Sequence, residues 1–297
     1  MSNKSQIEQM ANGLGFIAAL DQSGGSTPKA LRDYGIADDS YSSNAQMFDL
    51  IHAMRSRIAM APAFTGDKVI AAILFEKTMD RDIDGKPSPS YMWEERGIVP
   101  FLKVDKGLME PENDVKMMKH IENLNALLER AVSKGIFGTK MRSVIDAANP
   151  EGIAANVAQQ FEIGAQISGH GLIPILEPEV TITIKDKAEA EEILKAEIIK
   201  HLDVLPADEL VMLKLSLPTR ANHYKSLIDH PRVMRVAALS GGYSRDEANK
   251  KLAQNTGMIA SFSRALAEGL SAQQSDADFN STIAETIDSV YAASIIG

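Results

Sequence analysis

The chain reads as an α/β protein, a single (β/α)8 TIM barrel with terminal helices spanning residues 1–297. Three observations carry that expectation. Eight short apolar runs recur along the chain, each ending in charged or hydroxyl residues that are out of place at the end of a buried strand. The segments between the runs are long enough for the helical crossovers that parallel strands need. The runs are continuously apolar rather than alternating, which suits strands buried on both faces.

The first run is Phe16 to Asp21. Gly13-Leu14-Gly15-Phe16-Ile17-Ala18 has the look of a dinucleotide fingerprint, but it precedes a strand instead of following one. Ser23-Gly24-Gly25-Ser26-Thr27-Pro28 comes next, a hydroxyl-rich loop with Pro28 expected at the first position of a helix. Val69 to Glu76 and Val99 to Asp105 are the second and third runs. Between the third and fourth, Val115, Met118, Leu124, Leu127, Leu128 and Ala131 fall on one helical face. The fourth run, Phe137 to Arg142, leads to a helix marked by Ile153, Val157, Phe161 and Ile167. Leu172 to Glu179, Leu210 to Lys214, Val233 to Gly242 and Met258 to Arg264 complete the set. After the seventh, Ser244-Arg245-Asp246-Glu247 has capping-box spacing for a helix start. Phe279, Ile283, Ile287, Val290 and Tyr291 mark a terminal helix. A doubly wound open sheet shares this strand-helix alternation, so the count of eight is what separates the two folds.

Composition narrows the function. The 297 residues are 44% apolar, enough for one barrel of about 250 residues plus terminal helices. Zero cysteines removes disulfides, thiolate nucleophiles and cysteine metal sites together. A net charge of −9 disfavours nucleic acid as a partner, so an anionic ligand needs a local cluster of cations. No long apolar run and no basic leader at Met1 to Gly15 is present, which points to a cytoplasmic protein without a membrane partner. The histidines His52, His120, His170, His201, His223 and His230 show no ligand spacing. They are expected to be solvated surface residues, and no metal or other cofactor is expected.

Residues two apart on a strand share a face, so Lys140 pairs with Arg142, Lys103 with Asp105, and Glu177 with Glu179. If those faces point inward, Lys103, Lys140, Lys214, Arg142, Glu177, Glu179 and Asp21 converge at one mouth of the barrel. Lys214 has the most apolar setting of any lysine, in Val211-Met212-Leu213-Lys214-Leu215. Desolvation disfavours its ammonium form, and a partly neutral lysine attacks carbonyls to form a Schiff base. The alternative is a lysine kept charged and inert by Glu177 or Glu179. Ser240-Gly241-Gly242, with Arg264 on the next strand, reads as an anion seat. The loop from Ser23 to Ser26 is a second, and two seats at one mouth suggest a doubly phosphorylated ligand. Taken alone, either glycine pair is more commonly a tight turn.

With these residues in view, the chain resembles class I fructose-bisphosphate aldolase over nearly its whole length, in its compact bacterial form. The resemblance rests on Ala19 to Ser26, Ile73 to Thr78, Lys103 to Gly107, Lys140 to Arg142, Pro174 to Glu179, Leu213-Lys214, Leu239 to Gly242 and Ser261 to Leu266, in the family's order. It implies metal-independent, reversible cleavage of fructose 1,6-bisphosphate to the triose phosphates of glycolysis and gluconeogenesis, with the sugar bisphosphate and triose phosphates as small-molecule partners. Lys214 then matches the Schiff-base lysine and Glu177 the general acid/base, with Lys140 assisting. Asp21 matches the carboxylate that removes the C4 hydroxyl proton, and Glu179 a charge partner that orders the lysines. Ser240, Gly241, Gly242 and Arg264 match one phosphate site, and Ser23, Ser26 and Lys103 the other, with Arg142 between them. Animal members carry an arginine where Ala30 stands, an acid in place of Gln22 and a glycine in place of Ser263. Their C-terminal tail, with its tyrosine, has no counterpart here.

Overall fold

A computed structural model describes residues 4–296. Eight parallel strands form a ring: β1 (Phe16–Leu20), β2 (Val69–Leu74), β3 (Val99–Lys103), β4 (Gly138–Ile145), β5 (Ile173–Val180), β6 (Val211–Ser216), β7 (Val233–Leu239) and β8 (Met258–Phe262). Each pairs with its neighbours in chain order. The pairing of β1 with β8 closes the ring, with Ile17 opposite Ser261. The expected (β/α)8 barrel is the observed fold, and closure removes the exposed edges that an open sheet leaves.

Alternation within each strand sends every second side chain inward. Ile17 and Ala19, Phe101, Ile175, Met212, Ala237 and Ile259 make the inner apolar cluster. Gly138 sits where an added Cβ would lie 2.6 Å from the ring of Phe101, so a residue without a side chain leaves room for a large one across the barrel. The next inward positions toward the carboxyl ends are Asp21, Lys103, Lys140, Glu177 and Lys214. The pleat that builds the core below therefore places charge above it.

Helices cover the outside: α2 (Ser26–Asp33), α3 (Asn44–Met60), α4 (Leu124–Ser133), α5 (Pro150–Gly169), α6 (Lys187–Asp203), α7 (Arg245–Leu252) and α8 (Asp276–Ser294). The expected apolar stripes are buried on α5 through Ile153, Val157, Phe161 and Ile167, and on α8 through Phe279, Ile283, Ile287 and Val290. Tyr291 is only half-buried, beneath the ammonium of Lys68. Ser244 caps α7, its hydroxyl accepting from the Glu247 amide at 3.3 Å. The preceding helix α1 (Lys4–Asn12) lies across the opposite mouth. There Met10 joins the inner cluster, and Gln9 Nε2 donates to the carbonyls of Ile70 and Gly97 at 2.8 and 2.7 Å.

Three local expectations are corrected. Val115 and Met118 are not helical: Val115–Lys116 is a short strand antiparallel to Val144 and Ile145. Its turn, Asn113-Asp114, has φ of 49° and 60°, the left-handed pair that a two-residue hairpin favours. This partner lets β4 run three residues beyond the Arg142 at which the apolar run ends. Pro28 is the third residue of α2, not the first, because the Ser23 to Ser26 turn already starts the helix at Ser26. Finally, only His120 of the six histidines is exposed. The others shelter against helices and rings, as His201 does in stacking on Phe161.

Candidate active site

The carboxyl-terminal mouth opens into a cavity of about 760 Å³ that contains every site residue read from the sequence. Its floor is a chain of alternating charge. Asp21 Oδ2 lies 2.7 Å from Lys140 Nζ, which lies 2.9 Å from Glu177 Oε2, and Glu177 Oε1 lies 2.9 Å from Lys214 Nζ. The four residues come from β4, β5, β6 and the end of β1, and each is less than a tenth exposed. Two cations and two anions in one line compensate each other, which is the condition for burying any of them.

The protonation states follow from that line. Burial alone would push the Asp21 carboxyl up, but Lys140 and Lys214 outweigh it and hold Asp21 well below the usual carboxylate range. Glu177 is lowered in the same way, burial again opposing the two lysines and Asp21 acting against them. Burial pulls Lys140 down, yet Asp21 and Glu177 together raise it well above the ordinary lysine value. Lys140 is thus a fixed ammonium between two carboxylates. Lys214, at the end of the line, has one carboxylate contact and the open cavity beside it.

Above the floor stands a second tier. Glu179 accepts from Arg142 Nε at 2.5 Å and does not contact a lysine. That corrects its expected role, and the cause is the pleat: Glu179, two residues beyond Glu177 on the same face of β5, reaches Arg142, which stands two residues beyond Lys140 on the same face of β4. Burial lowers the Arg142 pKa, but Glu179 more than reverses this and fixes the guanidinium as a cation. Lys103 lines the cavity with its ammonium held by the carboxylate and carbonyl of Asp105, at 2.6 and 2.9 Å.

The cavity wall carries Lys29, Lys103, Lys140, Arg142, Lys214 and Arg264 against Asp21, Asp33, Asp105, Glu177, Glu179 and Glu268. The signs balance, so an anion is drawn not by net charge but by cations without partners. Arg264 is the one among these that makes no ion pair or hydrogen bond among the described residues. Its Nη2 lies 3.7 Å from where a Cβ would stand on Gly242. Gly241 and Gly242 have φ of +60° and +122°, and a Cβ on Gly241 would meet Ile182 at 2.6 Å. Only glycine fits there, and the loop lays bare main chain beside a free guanidinium. At the other loop Ser23 and Ser26 also line the cavity, but the Ser26 hydroxyl is engaged, accepting from the Ser23 amide at 2.9 Å and donating to its carbonyl at 2.8 Å.

The model of the fructose-bisphosphate aldolase class-I family matches residues 3–223. The chain belongs to that family. Its match runs from β1 through β6 and covers the whole charged floor, while the Ser240 to Gly242 loop and Arg264 lie beyond it. Solved structures agree on the fold. A fructose-bisphosphate aldolase from Plasmodium falciparum, solved with TRAP and a small-molecule inhibitor, superposes with a TM-score of 0.75 at 20% identity, over 97% of this chain and 93% of that one. A protein from Corynebacterium glutamicum does so with a TM-score of 0.53 at 12% identity, over 98% and 92%. The protein is an aldolase, a carbon-carbon lyase, on a TIM barrel.

Two residues of this aldolase site escaped the sequence reading. Ser261 lines the cavity from β8 with a buried hydroxyl that has no partner. It sits inside an apolar run and was read only as part of the Ser261 to Leu266 stretch, although its inward alternation from Ile259 marks it for the cavity. Gln22 was noted solely as a replacement for an acid. Its amide donates to Ser263 Oγ at 2.8 Å, tying the end of β1 to the end of β8. Among the described residues no group of three or more histidine, aspartate or glutamate side chains is placed to hold a metal ion. No described helix is long and apolar enough to cross a membrane.

Proposed function

We propose that this aldolase cleaves fructose 1,6-bisphosphate, reversibly and without a metal ion, through a Schiff base on Lys214. The observation that carries the reading is the buried line Asp21, Lys140, Glu177, Lys214, which supplies a nucleophile with a proton acceptor in contact. Lys214 gives a proton to Glu177 and its free amine adds to the C2 ketone. Glu177 returns the proton to the carbinolamine oxygen, which leaves as water, and the iminium remains. As the C3–C4 bond breaks, its electron pair moves into the iminium to give an enamine. The C4 hydroxyl proton passes to Asp21, which the lysines keep ionised and ready to accept it. Glyceraldehyde 3-phosphate departs first. Protonation of the enamine at C3 and hydrolysis of the imine then release dihydroxyacetone phosphate and restore Lys214.

In this reading one phosphate rests on the Ser240 to Gly242 loop under Arg264, and the other faces Ser23 and Lys103. The iminium supplies the electron sink that a metal provides in other enzymes. The test is cleavage of fructose 1,6-bisphosphate in excess EDTA, paired with borohydride reduction in the presence of dihydroxyacetone phosphate and mass analysis. Turnover in EDTA with a triose-phosphate adduct on the Lys214 peptide is expected. Loss of turnover on chelation, or an adduct on another lysine, overturns the mechanism.

A further inference from the structure

Among the described residues Arg55 is the largest fully buried side chain, 1% exposed, and it is a cation. It projects from α3 beneath the site without lining the cavity. Nη1 donates to Thr78 Oγ1 at 2.9 Å. Nη2 donates to the main-chain carbonyl of Gln22 and stands 3.4 Å from that residue's Oε1. The plane lies over Phe75, 5.8 Å from the ring centre, and Nε has no hydrogen-bond partner among the described residues. None of its contacts is a carboxylate, and burial lowers its pKa to about 10, with only the charge of Asp21 acting the other way.

A barrel gains little stability from such a group. Burying a charge without a paired opposite charge is unfavourable, and an apolar residue of similar volume serves packing as well or better. What the guanidinium does achieve is geometric. One side chain grips the residue after Asp21 and, through Thr78, the short helix that follows β2. Through Gln22 and its hydrogen bond to Ser263, it also reaches the residue before Arg264. The strand ends that carry the proposed base and Arg264 are thereby tied, together with the end of β2, to one rigid fork.

We propose that Arg55 is a positioning residue for carbon-carbon cleavage: by holding the Gln22 carbonyl it sets Asp21 against the C4 hydroxyl, while imine formation at Lys214 proceeds without it. The inference rests on the proposed role of Asp21, so the experiment separates the two. Wild type, Asp21→Asn, Arg55→Met and Arg55→Lys are compared for fructose 1,6-bisphosphate cleavage and for borohydride trapping of dihydroxyacetone phosphate.

Misplacing a reacting group by an ångström costs up to about a hundredfold in rate. Arg55→Met is therefore expected to lose about tenfold to a hundredfold in kcat with KM within about twofold, and to trap the imine as wild type does. Arg55→Lys, which keeps a donor and the charge, is expected to recover most of the loss. A folded Arg55→Met with wild-type kcat overturns the inference, as does a parallel fall in trapping and cleavage. Should Arg55→Met not fold, Thr78→Val removes one anchor of the fork with little change of shape. A fall in its kcat with trapping intact supports the inference, and wild-type kcat overturns it. Wild-type protein that neither cleaves nor traps, or Asp21→Asn that cleaves normally, instead refutes the underlying reading of the site.

Discussion

At Lys214 the decisive fact is not isolation but company. The sequence shows a lysine in an apolar strand, a setting that leaves both a desolvated nucleophile and an inert ion pair open. The structure gives it a single carboxylate and sets the stronger compensation on Lys140, between Asp21 and Glu177. That line has a measurable consequence for stability. Asp21 is held below its unfolded value of about 3.9, so the stability it contributes is present above about pH 4 and lost as pH falls toward its folded value. Lys140, raised above about 10.4, contributes stability that is present below that pH and lost only as pH rises through its folded value. Urea midpoints from pH 7 to pH 3 are expected to fall for wild type and to fall less steeply for Asp21→Asn. Parallel slopes would remove the Asp21 pair from the account. Arg264 gives a second residue-scale expectation. A lost charge-assisted bond costs about 1.5–3 kcal/mol, so Arg264→Ala should raise KM for the bisphosphate about tenfold to a hundredfold. An unchanged KM would move the phosphate seat elsewhere. Arg55 was illegible because nothing in a helical stretch says which polar residue turns inward, and Ser261 left only its alternation with Ile259 as a sign of its place.

Elements divide the molecule into a working mouth and a supporting one. The strand order and the stripes on α5 and α8 were legible because burial on two faces or one leaves a period in the sequence. The hairpin at Glu112 to Lys116 was not: Val115 and the following Met118 imitate a helical stripe, and its turn carries Asn113 and Asp114 rather than glycine. The supporting mouth is closed by α1, whose C-terminal carbonyls meet a cation from β7. Arg235 Nε donates to Met10 O at 2.9 Å and Nη2 to Gly13 O at 3.0 Å. Leaving those carbonyls unpaired costs about 1–3 kcal/mol, so Arg235→Met is expected to lower the urea midpoint with kcat and KM intact. A loss of activity at full stability would mean that the two mouths are coupled.

The whole barrel depends on its last helix as much as on its strands. Closure needs β8 against β1, and only three and two residue pairs hold β8 to its two neighbours. The rest of its support comes from α8. The Ala260 amide donates to Ser294 Oγ at 3.1 Å, and Arg57 lies 4.2 Å over the ring of Phe279. Phe279, Ile283, Ile287 and Val290 are each no more than 1% exposed. At about 1.5–3 kcal/mol for each buried side chain, these four contribute roughly 6–12 kcal/mol. The net stability of a domain is about 5–15 kcal/mol, so the helix is worth as much as the fold has to spare. A chain ending at Gln274 is therefore expected to lose its near-ultraviolet circular dichroism and elute as aggregate, although every proposed catalytic residue remains in it. Adding the helix back as a separate peptide tests the reasoning further. Recovery of a cooperative thermal transition would show that the apolar seam supplies the stability, whereas a truncated chain that melts like the full one would place closure in the strand ladder alone.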